Sequence, residues 1–219
     1  MTRRPRLLLH IGTHKTGTTS IQQALHQQRD ALRARGVLLA DTSRPPWPEL
    51  PKHTSVFHAA WTGDAAAREA ERAALWQEFS ASGAHTLLLS EEGLSEPDPR
   101  PVAFFEPWRE RFDIQVVCLL RRHDRFVESL YNQFTREAAR REARSPLAFA
   151  RSAAVRSRLD YAAMLRRWQE GLGARLVVRD FDALQRGGGL LRGFAEAAGL
   201  PAEVPLPERR SNGSPDMRL

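Results

Sequence analysis

The sequence contains almost no cysteine and no long hydrophobic segment, and each absence excludes a class of protein. Cys118 is the single cysteine, so a framework of disulfide bonds is excluded and a reducing compartment is indicated. No stretch approaches the roughly 20 consecutive apolar residues that a membrane-spanning helix needs. The apolar run at residues 7–9 is too short for the core of a signal peptide. We therefore expect a cytoplasmic protein without a membrane span.

Lysine is scarce as well. Lys15 and Lys52 are the only two lysines among 33 basic residues, and arginine supplies the rest of the basic character behind the net charge of +7. The excess of arginine, together with abundant alanine, is typical of a GC-rich bacterial genome, so the charge alone does not identify a polyanionic partner. The sequence has no basic patch interleaved with aromatic residues, no zinc finger and no basic zipper. Nucleic acid is therefore not expected as a partner.

Apolar runs and helical patterns alternate along the chain. Strands are predicted for five continuous apolar runs, at residues 6–11, 36–40, 85–90, 114–120 and 175–179. Helices are predicted at residues 19–35, 65–82, 104–112, 125–142, 160–170 and 190–198. This alternation is typical of an α/β protein with a mainly parallel sheet. A length of 219 residues suits a single domain covering 1–219.

Two segments lack these patterns. Residues 43–53 (SRPPWPELPKH) are rich in proline, so we interpret 41–64 as a proline-rich loop region, which is either a plain surface connection or a frame for a substrate. The segment 201–219 has no periodicity and is predicted to be an irregular, loosely held C-terminal tail.

The stretch LLLHIGTHKTGTTSIQQAL at residues 7–25 reads as a strand, a glycine-rich loop and a helix. It has the two glycines of a phosphate-binding loop, Gly12 and Gly17, and the final threonine, Thr19. Thr18 occupies the place of the usual lysine, and Lys15 lies in the middle of the loop instead. Backbone amides at the start of the helix would bind an anion, but the clamp for a triphosphate is missing. The alternative is a glycine-rich turn that only begins a helix.

The loop read as Lys15-Thr-Gly17-Thr18-Thr19 resembles the 5′-phosphosulfate loop of sulfotransferases that use 3′-phosphoadenosine 5′-phosphosulfate (PAPS). The resemblance implies a P-loop NTPase-like three-layer sandwich with a central, mainly parallel sheet of about five strands. It implies PAPS as donor, 3′-phosphoadenosine 5′-phosphate (PAP) as product and no required metal. It also implies that Lys15 neutralises charge on the phosphosulfate bridge. The loop residues implied to bind the donor are Gly12, Thr13, His14, Lys15, Thr16, Gly17, Thr18, Thr19 and Ser20.

A second feature resembles the part of the family's site that binds the 3′-phosphate. Arg121 follows the predicted strand at 114–120, and Ser129 stands eight residues later. A guanidinium group and a hydroxyl suit a phosphate. Ser20 replaces the aromatic residue that many members place beside the adenine, so Trp47, Trp61 and Phe126 are alternative stacking residues, although core positions suit them as well. The segment 208–214 resembles a late nucleotide-binding loop with Arg209 and Asn212 as candidate ligands; a disordered basic tail is the alternative.

Candidate general bases follow the predicted strand at 85–90. Glu91 and Glu92 would lie at the carboxyl end of a parallel strand, where ligands bind in such sheets. The resemblance implies glutamate as the base; we favour Glu92, with Glu91 second. Histidine is also suited to this role near neutral pH. The rival histidines are His14, His53 and His58, of which the last two follow the proline-rich segment.

The resemblance implies transfer of a sulfuryl group to a hydroxyl or amine of a small-molecule or glycan acceptor; a glycan, a lipid or a secondary metabolite would fit. The alternatives are a P-loop small-molecule kinase and a catalytically idle nucleotide-binding module. The missing lysine after Gly17, and the absence of a clear Mg²⁺-binding aspartate after a strand, disfavour the kinase. The glutamate pair disfavours the idle module.

Overall fold

The structure, a computed structural model, describes residues 4–44, 51–62, 64–137, 142–187 and 189–206. Five parallel strands form one sheet in the order β2-β3-β1-β4-β5. The five predicted strands and the α/β class are therefore confirmed. The strands are β1 (Arg6–Gly12), β2 (Val37–Leu39), β3 (Thr86–Ser90), β4 (Asp113–Leu120) and β5 (Arg175–Asp180).

Helices connect the strands and cover both faces of the sheet. The α-helices of the described residues are α1 (Thr18–Gln27), α2 (Arg29–Ala34), α3 (Thr54–Thr62), α4 (Ala65–Ser82), α5 (Arg100–Phe105), α6 (His123–Arg136), α7 (Pro146–Ala150), α8 (Ala153–Leu159), α9 (Tyr161–Leu172), α10 (Phe181–Arg186) and α11 (Leu190–Ala198). Two 3₁₀ turns lie at Glu92–Ser95 and Glu106–Trp108. Within the described ranges, no helix combines the length and the apolar character needed to cross a bilayer.

Alternating residues of β1 separate two hydrophobic layers, because successive side chains of a strand point to opposite faces. Leu7, Leu9 and Ile11 pack in one cluster with buried residues of α3, α4, α5 and α9. Leu8 packs in the other cluster, with α1, α2, α10 and α11. The result is the expected three-layer sandwich. A third, smaller cluster joins α6, α7 and α8 around Phe149.

The sheet order brings three connections together. β1 lies between β3 and β4, and all three run in the same direction, so the loops that follow them leave from the same edge. In an open α/β sheet this edge is where ligands bind. The glycine-rich loop, the glutamate pair and Arg121 follow β1, β3 and β4 respectively. Candidate residues that are far apart in sequence therefore share one edge of the sheet.

Several helix boundaries differ from the prediction. The helix predicted at 104–112 is instead α5 followed by a 3₁₀ turn, because Pro107 has no N–H for a continuing helix. The helix predicted at 19–35 is divided at Gln28, whose φ of −102° and ψ of 11° are not helical. α6 ends at Arg136, short of the predicted residue 142. The short helices α7, α8 and α10 were not predicted.

The loop region expected at 41–64 needs a correction, because α3 occupies Thr54–Thr62. The prolines end at residue 51, and Val56, Ala59 and Ala60 then follow helical spacing and are buried. The tail also differs in part. Residues 201–206 contain no helix or strand, as predicted, but Val204 and Leu206 pack into the core, so this part is not loosely held. Residues 207–219 lie outside the described residues.

Candidate active site

The loop between β1 and α1 turns sharply at three residues with positive φ. Gly12 has φ +88° and Gly17 has φ +72°, both in the region that favours glycine. A Cβ on Gly12 would lie 2.9 Å from the Cβ of Glu92, so the backbone of the loop passes directly against the glutamate pair. Lys15 is the only non-glycine residue of the described chain with positive φ, at +63°. Residues other than glycine adopt this conformation uncommonly, so the surrounding loop must hold Lys15 in it.

Two threonines of the loop brace its backbone. The N–H of Thr13 donates to the carbonyl of Leu119 at the end of β4, at 3.0 Å. The hydroxyl of Thr16 donates to the carbonyl of Thr13 at 2.6 Å, and the Thr13 hydroxyl reaches Leu119 at 3.4 Å. Both hydroxyls and the Thr13 N–H are thus engaged within the protein, so these two threonines hold the shape of the loop.

The start of α1 is suited to an anion. Gly17 precedes the helix without a side-chain cap, and the first turn contains no acidic residue. The first N–H groups of α1 are therefore not capped by a side chain of the helix, and they lie at the positive end of the helix dipole. The first three helical residues are Thr18, Thr19 and Ser20, of which Thr18 is buried and Thr19 exposed. This arrangement is suited to binding an anion.

Arg121 contacts the loop directly. Its Nη1 donates to the carbonyl of Lys15 at 3.3 Å, and its Nε forms an ion pair with Asp182 at 3.4 Å. A guanidinium has five N–H donors, so these contacts use only part of its capacity. Burial, followed by the nearby charge of Arg121, lowers the pKa of Lys15. Ser129 lies half-buried on α6, the helix that begins just after Arg121.

The two glutamates continue from β3 but have different surroundings. The Glu91 N–H donates to the carbonyl of His10 at 3.0 Å, and its carboxylate accepts a bond from the Gly93 N–H at 3.0 Å. The Glu91 side chain is only 3% exposed. Glu92 is 15% exposed and accepts hydrogen bonds from Lys52 Nζ and Gln22 Nε2, both at 3.0 Å. Both oxygens of Glu92 therefore accept a side-chain hydrogen bond, whereas one oxygen of Glu91 has no hydrogen-bond partner among the described residues.

Burial acts on both carboxyl groups, yet their pKa values move in opposite directions. Burial and the adjacent charge of Glu92 raise the pKa of Glu91 to about 7, against the opposing effect of Lys52. Burial also disfavours the charge of Glu92, but Lys52 and the bond from Gln22 outweigh it, so the pKa of Glu92 is lowered. Two neighbouring carboxyl groups with separated pKa values are suited to different roles.

Lys52 was not predicted as a site residue. It lies just before α3 and brings an ammonium group to both glutamates. The next residue, His53, is fully buried and is bonded to the backbone of Ser90 and Ala40. The signal in the sequence was the scarcity of lysine, since Lys52 is the only lysine besides Lys15.

The three candidate histidines lie in different environments. His14 Nε2 contacts Glu96 at 3.1 Å, and Glu96 also pairs with Arg158 of α8 at 2.7 Å, so His14 ties the loop to that helix. His53 is fully buried and bonded to backbone groups of Ala40 and Ser90. His58 is exposed on α3. Of the three, only His14 belongs to the loop.

Two of the three candidate adenine-stacking residues, Phe126 and Trp61, lie in the described part of the chain, and both pack against other side chains. Phe126 is buried in the α6–α8 cluster. Trp61 stacks on Phe57, with ring centroids 5.3 Å apart, and carries the guanidinium of Arg100 at 4.1 Å. Trp47, Arg209 and Asn212 lie outside the described residues. In the described part of the chain, no group of three or more metal-ligating side chains is arranged to hold a metal ion.

Two buried histidines make stability depend on pH. Burial lowers the pKa of both His10 and His53 to about 4 from the model-peptide value of 6.5. Between these pH values the unfolded chain binds protons that the folded protein does not. We expect each histidine to reduce the free energy of unfolding by up to about 1.4 kcal/mol per pH unit as the pH falls through this window. Urea denaturation at several pH values measures the slope.

The matched variant for this measurement is His53→Gln, which keeps a polar side chain that does not titrate. Its stability should depend less on pH than that of the wild-type protein between 6.5 and about 4. Glu91 has the opposite effect on stability. Because its pKa is raised to about 7, the folded protein binds a proton there that the unfolded chain has released, so this group adds stability as the pH falls. An unchanged slope in His53→Gln would show that His53 is not held neutral.

The fold and the loop define a class: an α/β protein with a five-stranded parallel sheet and a glycine-rich loop between its central strand and first helix. No family model matches the sequence, and no curated protein matches it. Among solved structures, a sulfotransferase from Alicyclobacillus acidocaldarius is similar, with a TM-score of 0.59 and 16% identity, over 98% of this chain and 88% of that chain. The sulfotransferase domain from the curacin biosynthetic pathway gives a TM-score of 0.47 and 11% identity, over 97% and 82%. The chain thus has the fold of the first of these sulfotransferases.

Proposed function

We propose that the protein is a sulfotransferase that moves the sulfuryl group of PAPS to a hydroxyl or amine of a small-molecule or glycan acceptor. The observation that carries this proposal is the contact between the glycine-rich loop and the glutamate pair. A Cβ on Gly12 would lie 2.9 Å from the Cβ of Glu92. An anion-binding loop and a carboxylate base on adjacent strands are what an in-line transfer needs.

The donor fits the shape and charge of the loop. The uncapped start of α1 is suited to a single 5′-phosphate. Lys15, in the middle of the loop, is suited to the sulfuryl group attached to that phosphate. No lysine follows Gly17 to clamp a triphosphate. Arg121, bonded to the Lys15 carbonyl, and Ser129 on α6 would receive the 3′-phosphate. Bound PAPS supplies the electrophilic sulfur.

Two residues of this chain would then take part in the transfer. Glu92, ionised and held by Lys52 and Gln22, accepts the proton of the acceptor hydroxyl or amine. The freed electron pair forms the new bond to sulfur while the bond from sulfur to the bridging oxygen breaks, and PAP leaves with that electron pair. Lys15 stabilises the negative charge that develops on the bridging oxygen.

Ligand-induced stabilisation tests the donor. We expect PAP to raise the thermal midpoint without any added metal, corresponding to about 2.7 kcal/mol at a concentration 100 times its Kd. ATP and GTP with Mg²⁺ should give less. Adenosine 5′-phosphate is the matched ligand, since it lacks only the 3′-phosphate that Arg121 and Ser129 would bind. Stabilisation by Mg-ATP with none by PAP would indicate a kinase instead. A panel of hydroxyl and amine acceptors with ³⁵S-labelled PAPS then identifies the acceptor.

A further inference from the structure

Lys52 forms a bridge between the two glutamates. Its Nζ lies 3.0 Å from Oε1 of Glu92 and 3.7 Å from Oε1 of Glu91. The lysine side chain is 24% exposed, so the ammonium is partly shielded from water and its attraction to the carboxylates is stronger than that of a surface pair. Burial opposes the charge of Lys52, yet the two carboxylates raise its pKa overall. The Lys52 ammonium therefore contacts both carboxyl groups and lies closer to Glu92 than to Glu91.

The backbone holds this lysine in place through its neighbour, His53. The Ser90 N–H donates to Nδ1 of His53 at 2.9 Å, which leaves Nε2 to donate to the Ala40 carbonyl at 3.0 Å. The backbone N–H of His53 also donates to the Ser90 carbonyl, at 3.0 Å. Lys52 is thus fixed against the end of β3, immediately beside the residues that follow Ser90.

The two carboxylates are not equivalent partners. Glu92 receives Lys52 on one oxygen and Gln22 on the other, so both oxygens are oriented. Glu91 has one oxygen bonded to the Gly93 N–H, while its other oxygen is buried and has no hydrogen-bond partner among the described residues. A buried carboxylate oxygen without a partner is costly when charged. The geometry favours charge on Glu92 and a proton on Glu91.

We propose that Lys52 is a positioning residue, which fixes Glu92 beside the glycine-rich loop as the ionised base and leaves Glu91 as its protonated neighbour. This inference rests on the proposed function and deepens it by dividing the roles of the pair. Among the described residues, His14 of the loop and His10 of β1 also interact electrostatically with the pair.

The net charge of the Lys52–Glu92 pair becomes more positive during the proposed reaction. Before transfer, the ammonium of Lys52 balances the charge of Glu92. When Glu92 accepts the acceptor's proton, the Lys52 charge is no longer balanced, at the same moment as negative charge develops on the bridging oxygen of the donor. A positive charge gained beside the loop favours that step.

The scarcity of lysine gives a direct test that needs neither donor nor acceptor. Selective ¹³C labelling of lysine yields two Cε signals, and the one lost in Lys52→Met belongs to Lys52. We expect the Lys52 signal to shift with a midpoint near pH 7 as Glu91 loses its proton, and Glu91→Gln to abolish that step. A Lys52 signal without the step, or a step that persists in Glu91→Gln, would overturn the division of roles.

Kinetics provide a second test, with ³⁵S-labelled PAPS and the fastest acceptor of the panel. Loss of the ammonium raises the pKa of Glu92, so the acidic limb of the kcat profile should move to higher pH in Lys52→Met and return in Lys52→Arg. At pH 7 we expect kcat to fall 10- to 100-fold, with the KM for PAPS little changed. Arg33→Met is the matched control, since Arg33 is an exposed cation of α2.

The two tests separate the two proposals. If PAP does not bind but the Lys52 signal follows Glu91, the proposed function fails while the charge arrangement stands. If labelled PAPS is used but the acidic limb is the same in Lys52→Met and wild type, Lys52 has only a structural role. Equal loss of rate in Lys52→Arg and Lys52→Met, at every pH, would lead to the same conclusion.

Discussion

Replacing Lys15 by glycine is expected to lower kcat for sulfuryl transfer by about 10³-fold while leaving the protein folded. The proposed role of Lys15 is to stabilise charge that develops only as the sulfur–oxygen bond breaks, so the loss should appear mainly in kcat. Glycine is a better replacement than alanine, because Lys15 has φ +63° and alanine would keep the backbone strain. The measurement is the rate of transfer from ³⁵S-labelled PAPS at saturating donor.

The loss of rate must be distinguished from a loss of structure. Because glycine adopts positive φ readily, Lys15→Gly should have a thermal midpoint close to that of the wild-type protein. Lys15→Ala loses the same charge but keeps the backbone strain, so it should be slightly less stable than Lys15→Gly and as inactive as that variant. Arg33→Ala removes an exposed cation from α2 and should retain full activity. Undiminished transfer by Lys15→Gly would remove Lys15 from the mechanism.

The features that the sequence predicted well are those set by neighbouring residues. The run at residues 7–11 is apolar at every position but His10, as a strand covered on both faces requires, and β1 is buried from Leu7 to Gly12. Gly12 and Gly17 were recognised by their spacing, and both combine a positive φ, which favours glycine, with a neighbouring side chain that leaves no room for a Cβ. Parallel strands also place the ends of β1, β3 and β4 at one edge, so the grouping of loop, glutamates and Arg121 followed from topology.

The features that the sequence did not predict depend on contacts between distant segments. Lys52 stands 39 and 40 positions before the two glutamates, and only the folded chain shows that it contacts them. The burial of His53 depends on bonds to Ser90 and Ala40 in two other segments, which no local pattern encodes. The separation of the two carboxyl pKa values likewise depends on which of them receives Lys52 and Gln22. Sequence reasoning could therefore rank Glu92 above Glu91 only by resemblance.

Substituting the two glutamates one at a time is expected to give opposite results. Glu92→Gln should lower kcat by about 10²- to 10⁴-fold, because the amide cannot accept the acceptor's proton. Glu91→Gln should retain most of the rate, since the proposed role of Glu91 is that of a neutral neighbour. The measurement is transfer from ³⁵S-labelled PAPS by both variants across pH 6 to 9.

The same two variants should also differ in their stability. Since burial raises the pKa of Glu91 to about 7, the folded protein must carry an unfavourable charge there above that pH, whereas a glutamine carries none. Glu91→Gln should therefore be more stable than the wild-type protein at pH 8, by about 2 kcal/mol, and the gain should shrink as the pH falls to 5. Glu92→Gln should show no such gain, because its carboxylate is supported by Lys52 and Gln22. If Glu91→Gln is instead the inactive variant and Glu92→Gln the stabilised one, the proposed assignment is reversed and Glu91 is the base.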